Sequence, residues 1–149
     1  MPRALRWAAV LVILVAAGIQ AVRPARTNPP TDPTRTLAAR VRMTPEAAAV
    51  LDRACRDCHS NDTRWPWYSN VAPVSWLVID HVNHGRSHFN YSDWAQYGRD
   101  DARRLLKNTC DLSRQEAMPM PSYLVMHRSA RLSNRDIIAL CEWTGTAAE

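Results

Sequence analysis

Cys55-Arg56-Asp57-Cys58-His59 constrains this chain more than any other stretch. Two thiols three residues apart share one helical turn, and a histidine follows at once. A C-x-x-C-H run of this kind is the attachment signature of c-type haem. Each thiol can form a thioether with one vinyl group of a single porphyrin, and the histidine is then placed beneath the iron as an axial ligand. The motif is thus expected to anchor one haem c per chain and to fill one coordination position. The rest of the fold must build around that turn.

Two other chemistries use C-x-x-C. A thioredoxin-type dithiol starts a helix in a βαβ pattern, and no strand alternation surrounds Cys55. A structural zinc site needs four ligands, usually with a second close Cys or His pair. Here the candidates, Cys110, Cys141 and a group of histidines, are scattered.

The start of the chain weighs for haem. Arg3 and Arg6 precede an almost wholly apolar run from Trp7 to Val22, broken only by Gly18 and Gln20. That pattern reads as a secretory signal or a short anchor. The run falls just under the roughly 17–25 residues of a spanning helix. Ala16-Ala17-Gly18 has small residues at cleavage spacing, but no clean A-x-A stands there. Residues 1–22 are therefore expected to be a signal-anchor or signal peptide, with an uncleaved anchor favoured. Basic residues before the run and the domain after it agree with the positive-inside rule. The domain is then expected on the periplasmic side of the bacterial inner membrane, or soluble in the periplasm if the leader is cut. Arg23 and Arg26 follow the run and could lie against anionic headgroups.

Residues 23–43, with Pro24, Pro29, Pro30 and Pro33, read as an extended linker. Residues 44–149 suffice for one small domain. Without Arg3 and Arg6 the formal charge of +5 falls to +3. Positive and negative residues alternate in Arg99-Asp100-Asp101-Ala102-Arg103-Arg104, which is a solvated helix face rather than a nucleic-acid stripe.

The domain reads as all-α. Thr44 is placed to cap a helix with Pro45 at its first position, and Ala47, Val50, Leu51 and Ala54 form its apolar stripe. That helix delivers Cys55. An aromatic loop over 61–70 follows. A second helix is expected from about Pro73 to Gly85, and a short segment from Ser92 through Trp94. A third helix runs from about Asp100 to Arg114, stopped by Met118-Pro119-Met120-Pro121. One turn is expected over Tyr123 to Met126, and a helix capped by Ser133 and Asp136 runs to about Trp143. Cys110 and Cys141 fall on the apolar faces of the last two long helices, and an oxidising compartment favours a bridge between them.

The second axial ligand has several candidates. Methionine suits an electron-transfer haem because a soft thioether favours reduced iron. Met118 is favoured, since it lies in a loop stiffened by Pro119 and Pro121. Met120 is its direct rival and Met126 a weaker one. His81, His84 and His88 would share a face if their helix continued past Gly85, which would allow a bis-histidine haem or a second metal site. Surface histidines are the plainer reading, for His127 also. Trp65 or Trp67 is expected to touch haem, and Arg64 either pairs with a propionate or is a surface residue.

The chain resembles a known family, the bacterial haem-binding domain proteins with a C-x-x-C-H motif. The resemblance rests on residues 55–61, on Thr63-Arg64-Trp65-Pro66-Trp67-Tyr68-Ser69-Asn70-Val71-Ala72-Pro73-Val74-Ser75-Trp76, and on Met118-Pro119, Tyr123 and Arg131-Leu132-Ser133. It spans about residues 44–143. It implies a small cytochrome c-like helical fold, covalent haem at Cys55 and Cys58, and His59 as ligand. It supports Met118 over Met120, because the family's methionine directly precedes that proline.

The leading expectation is an electron carrier tethered near redox partner proteins at the membrane surface, with no small-molecule substrate. A haem-based sensor or accessory module is the alternative, as is a peroxidase-like enzyme with a displaceable distal ligand. A filled sixth position favours the carrier over an enzyme.

Overall fold

The computed structural model describes residues 2–147. Every regular element among them is helical. In chain order these are α1 (Arg3–Ile19), α2 (Leu37–Arg40), α3 (Pro45–Ala54), α4 (Arg56–His59), α5 (Val74–His88), α6 (Arg99–Arg114), α7 (Pro121–Leu124) and α8 (Asn134–Ala147). Short 3₁₀ turns over Pro33–Arg35, Trp67–Asn70, Tyr91–Gln96 and Arg128–Ala130 connect them.

Local chemistry sets several of these boundaries. Thr44 Oγ1 accepts from the Ala47 N–H at 3.1 Å, with Pro45 at the first helical position, so α3 starts as its cap residues dictate. At α8 the Ser133 hydroxyl accepts from the Asp136 N–H while the Asp136 carboxylate accepts from the Ser133 N–H. That reciprocal pair satisfies two otherwise orphaned donors. The same Asp136 carboxylate pairs with Arg53 at 2.9 Å, which draws α8 against α3.

The core lies where α3, α6 and α8 meet. Val50, Leu51, Leu105, Leu106, Leu140 and Trp143 are all buried there. Each large apolar side chain taken out of water contributes roughly 1.5–3 kcal/mol. Trp143 keeps its polar edge satisfied by donating to the Arg42 carbonyl at 2.9 Å. A disulfide joins Cys110 on α6 to Cys141 on α8, with a Cα–Cα distance of 4.8 Å.

The stretch expected as a linker does not run free. Asp32 and Thr36 cap the turn over Pro33–Arg35 and helix α2. Leu37 then enters the core at 2 % exposure. Upstream, residues 20–30 form a strap along the 61–76 segment. Gln20 exchanges two hydrogen bonds with the Ala72 backbone, at 3.0 and 2.9 Å. Trp76 donates to the Val22 carbonyl, and Asn28 donates to the Thr63 carbonyl. Prolines deny this stretch regular structure, but its carbonyls and side chains still find partners on the domain.

A second difference concerns α5. It does not stop at Gly85 but continues to His88. A β-carbon at position 85 would collide with the Cys58 carbonyl. Glycine is there because the two backbones approach closely, not because the helix ends.

Helix α1 has no buried residue. No helix among the described residues is long and apolar enough to cross a membrane.

Candidate functional site

Helix α3 ends at Ala54, and Cys55 leaves helical geometry at φ −121° and ψ −30°. The Cys55 carbonyl then accepts from the N–H groups of Cys58 and His59, at 3.2 and 3.0 Å. This starts the new turn, α4. Cys55, at the cap of this turn, and Cys58, on it, are both unpaired.

The His59 ring is fixed from behind by α5. Its Nδ1 lies 3.0 Å from the carbonyls of both Gly85 and Phe89. Carbonyls only accept, so Nδ1 carries the proton and Nε2 presents its lone pair. Burial lowers the basicity of this imidazole, which keeps it neutral. A neutral histidine held through one nitrogen and free at the other is what a metal centre requires. The donor set therefore fits a haem iron: an oriented imidazole, with two unpaired cysteines at the same turn.

The competing readings fit less well. Burial pushes the Cys55 thiol up to about 12 and the Cys58 thiol up to about 11. A redox dithiol needs the opposite shift. No group of three or more His, Cys, Asp or Glu among the described residues is placed to hold a metal ion. This also argues against a second metal at His81, His84 and His88. Those residues do share the extended α5, and the rings of His84 and His88 lie 5.7 Å apart.

Around the motif almost every polar group is used. Asp57 Oδ1 accepts from the Arg64 N–H at 3.1 Å, and Oδ2 accepts from the Tyr123 hydroxyl at 2.8 Å. Arg86, one residue past Gly85, donates to the Ser60 carbonyl, the Thr27 carbonyl, Asn28 Oδ1 and Thr63 Oγ1. One guanidinium thereby fastens the strap, the motif turn and α5 together. Ser92 and Asn90 hold Asn61 from the other side. Sequence reasoning missed Arg86, Asn28 and Asn90. Nothing in their spacing separates them from surface residues.

Met118 lies beyond α6 in a reversal where Glu116 adopts φ 54°. Its N–H donates to the Leu112 carbonyl at 3.2 Å. Its side chain lines a groove of about 820 Å³ with Pro119, Leu124, Val125, Leu132 and Ile137. Met120 is not part of that lining, and Met126 is 55 % exposed. Cys55, Cys58 and His59 do not line the groove either. The link between the methionine segment and the motif is the Tyr123–Asp57 hydrogen bond.

Arg64 donates through Nη2 to both oxygens of Asp52 at 2.8 and 2.7 Å. Trp65 donates to Asn28 Oδ1 at 3.1 Å. Trp67 is 72 % exposed and sits edge-on to Tyr68. His127 stacks on Tyr123 at 3.9 Å, with Tyr68 beside it.

The family model described as a haem-binding domain matches residues 14–146 of this chain. No curated protein and no solved structure matches it.

Proposed function

The chain belongs to the haem-binding domain family, and from that premise we propose that it is a c-type haem protein that carries single electrons outside the cytoplasm. Cys55 and Cys58 hold the porphyrin covalently, and His59 and Met118 are its axial ligands. Haem supplies an iron that cycles between ferric and ferrous states. The observation that carries this reading is His59, whose Nδ1 is bound at 3.0 Å to the carbonyls of Gly85 on α5 and of Phe89 just past its end, while Nε2 stays free. The His59 ring is thereby held in one orientation and one tautomer through both oxidation states. Little must move when an electron enters or leaves.

Met118 fills the sixth position in this reading. The reading is supported by the proline that follows it and by the bond that ties its segment to Asp57. A filled sixth position leaves no room for substrate, so carriage is favoured over catalysis. Trp65 and Trp67 border the cofactor. Arg64 holds Asp52 through Nη2, and its other guanidinium nitrogens pair with a propionate in this reading.

The exposed apolar helix α1, with Arg3 and Arg6 at its start, acts as an export signal or anchor in this account. The domain would work on the periplasmic side of the inner membrane, beside redox partner proteins at that surface. The test is expression with a cytochrome c maturation system, followed by spectra of the oxidised and reduced forms. A six-coordinate low-spin haem in both states is expected. A five-coordinate high-spin haem would overturn the carrier and favour a sensor or an enzyme.

A further inference from the structure

The segment that carries Met118 is held at two ends. At one end the N–H groups of Ala117 and Met118 both donate to the Leu112 carbonyl, closing the last turn of α6. At the other end α7 carries Tyr123, whose hydroxyl donates to Asp57 Oδ2 at 2.8 Å across 66 residues of chain. Asp57 stands between the two cysteines. Its other oxygen is taken by the Arg64 N–H, and its carbonyl accepts from the Thr63 hydroxyl at 2.7 Å. The carboxylate is therefore a fixed point rather than a swinging one. The Tyr123 ring is fixed as well, stacked on His127 at 3.9 Å with 11° between the planes.

We propose that Tyr123 is a positioning residue for the sixth ligand: its bond to Asp57 latches the methionine segment onto the haem-attachment turn. The inference rests on the reading of Met118 as that ligand. A thioether is a weak ligand for ferric iron, so its residence there depends on how narrowly the chain confines it. With Tyr123 bonded to the same turn that carries the cysteines, the methionine and the iron share one frame. Without that bond, the Leu112 end and the stack of Tyr123 on His127 still restrain the segment, but its direct tie to the haem-attachment turn is lost. The fraction of molecules with an open sixth position rises, and an added ligand binds more tightly in proportion.

The test uses the full haem-loaded chain, with imidazole as the probe of the ferric iron. Removing one hydrogen bond to a charged acceptor should raise imidazole affinity about tenfold in Tyr123→Phe. Amide exchange over residues 118–124 should also accelerate. Tyr91→Phe is the structural control. It removes one tyrosine hydroxyl bond to a neutral acceptor, the Leu51 carbonyl at 3.2 Å, far along the chain from the methionine segment. It should lower the thermal midpoint and leave imidazole affinity unchanged. If Met118→Ala abolishes the near-infrared methionine–iron band while Tyr123→Phe behaves like Tyr91→Phe, the latch is wrong and the ligand stands. If Met118→Ala keeps the band, the ligand assignment is wrong and the latch falls with it.

Discussion

Gly85 shows how one residue can serve packing while looking like punctuation. Its missing side chain lets α5 lie against the Cys58 backbone, with the Gly85 carbonyl and that of Phe89, just past the helix, on His59 Nδ1. Gly85→Ala would drive a methyl group into the Cys58 carbonyl. Overpacking of this kind costs about 1–3 kcal/mol, to be measured by urea unfolding. An unchanged midpoint would mean that the helices do not meet as closely as described. Asp52 offers a pH test at the same scale. Hydrogen bonds from Arg64, then Arg56, hold its carboxyl below the ordinary carboxylate range. Its contribution to stability is therefore fully present above the ordinary carboxyl pKa of about 3.9 and disappears as pH falls through the lower folded value. Asp52 is half exposed, so solvent screens the pair and the contribution is small. In Arg64→Ala the Asp52 titration, followed by NMR, should move upward toward the ordinary value.

At the scale of elements, local signals in the sequence and the folded chain agree where the cause is local. The Thr44-Pro45 start of α3 and the Ser133–Asp136 pair at α8 were legible because each cap lies within three residues of its partner. The end of α5 was not legible, because what Gly85 does depends on Cys58, a residue distant in sequence. The strap escaped for the same reason. A proline-rich composition predicts no helix or sheet, but it cannot reveal that Arg86 and Trp76 will collect the carbonyls of Thr27 and Val22. The pairing of Cys110 with Cys141 followed from two apolar helix faces and an oxidising compartment, and the bridge now joins α6 to α8 across a sequence separation of 31. Replacing both cysteines with alanine should lower stability by roughly 2–5 kcal/mol, read from thermal unfolding. A loss well under that range would show that the core between α6 and α8 holds the helices together unaided.

Over the whole molecule, α3, α5 and α7 converge on one turn. Helix α3 leads into Cys55, α5 backs His59, the strap and Arg86 immobilise Ser60 and Thr63, and α7 reaches Asp57. The motif itself was legible because its chemistry is local: thiol, thiol and imidazole must sit within one turn. The surrounding frame was not, since a tyrosine and an aspartate 66 residues apart carry no spacing signal. The core is modest for a single domain, centred on a few leucines with Trp94 and Trp143. A porphyrin held at Cys55 and Cys58 would add apolar surface beside it. The most direct measurement is the intact mass and visible spectrum of the chain, matured with haem, before and after acid–acetone extraction. The account predicts that one haem survives extraction on the native chain and none on the Cys55→Ala, Cys58→Ala double variant. Haem that washes out of the native chain, or that survives on the double variant, would contradict covalent attachment at this turn.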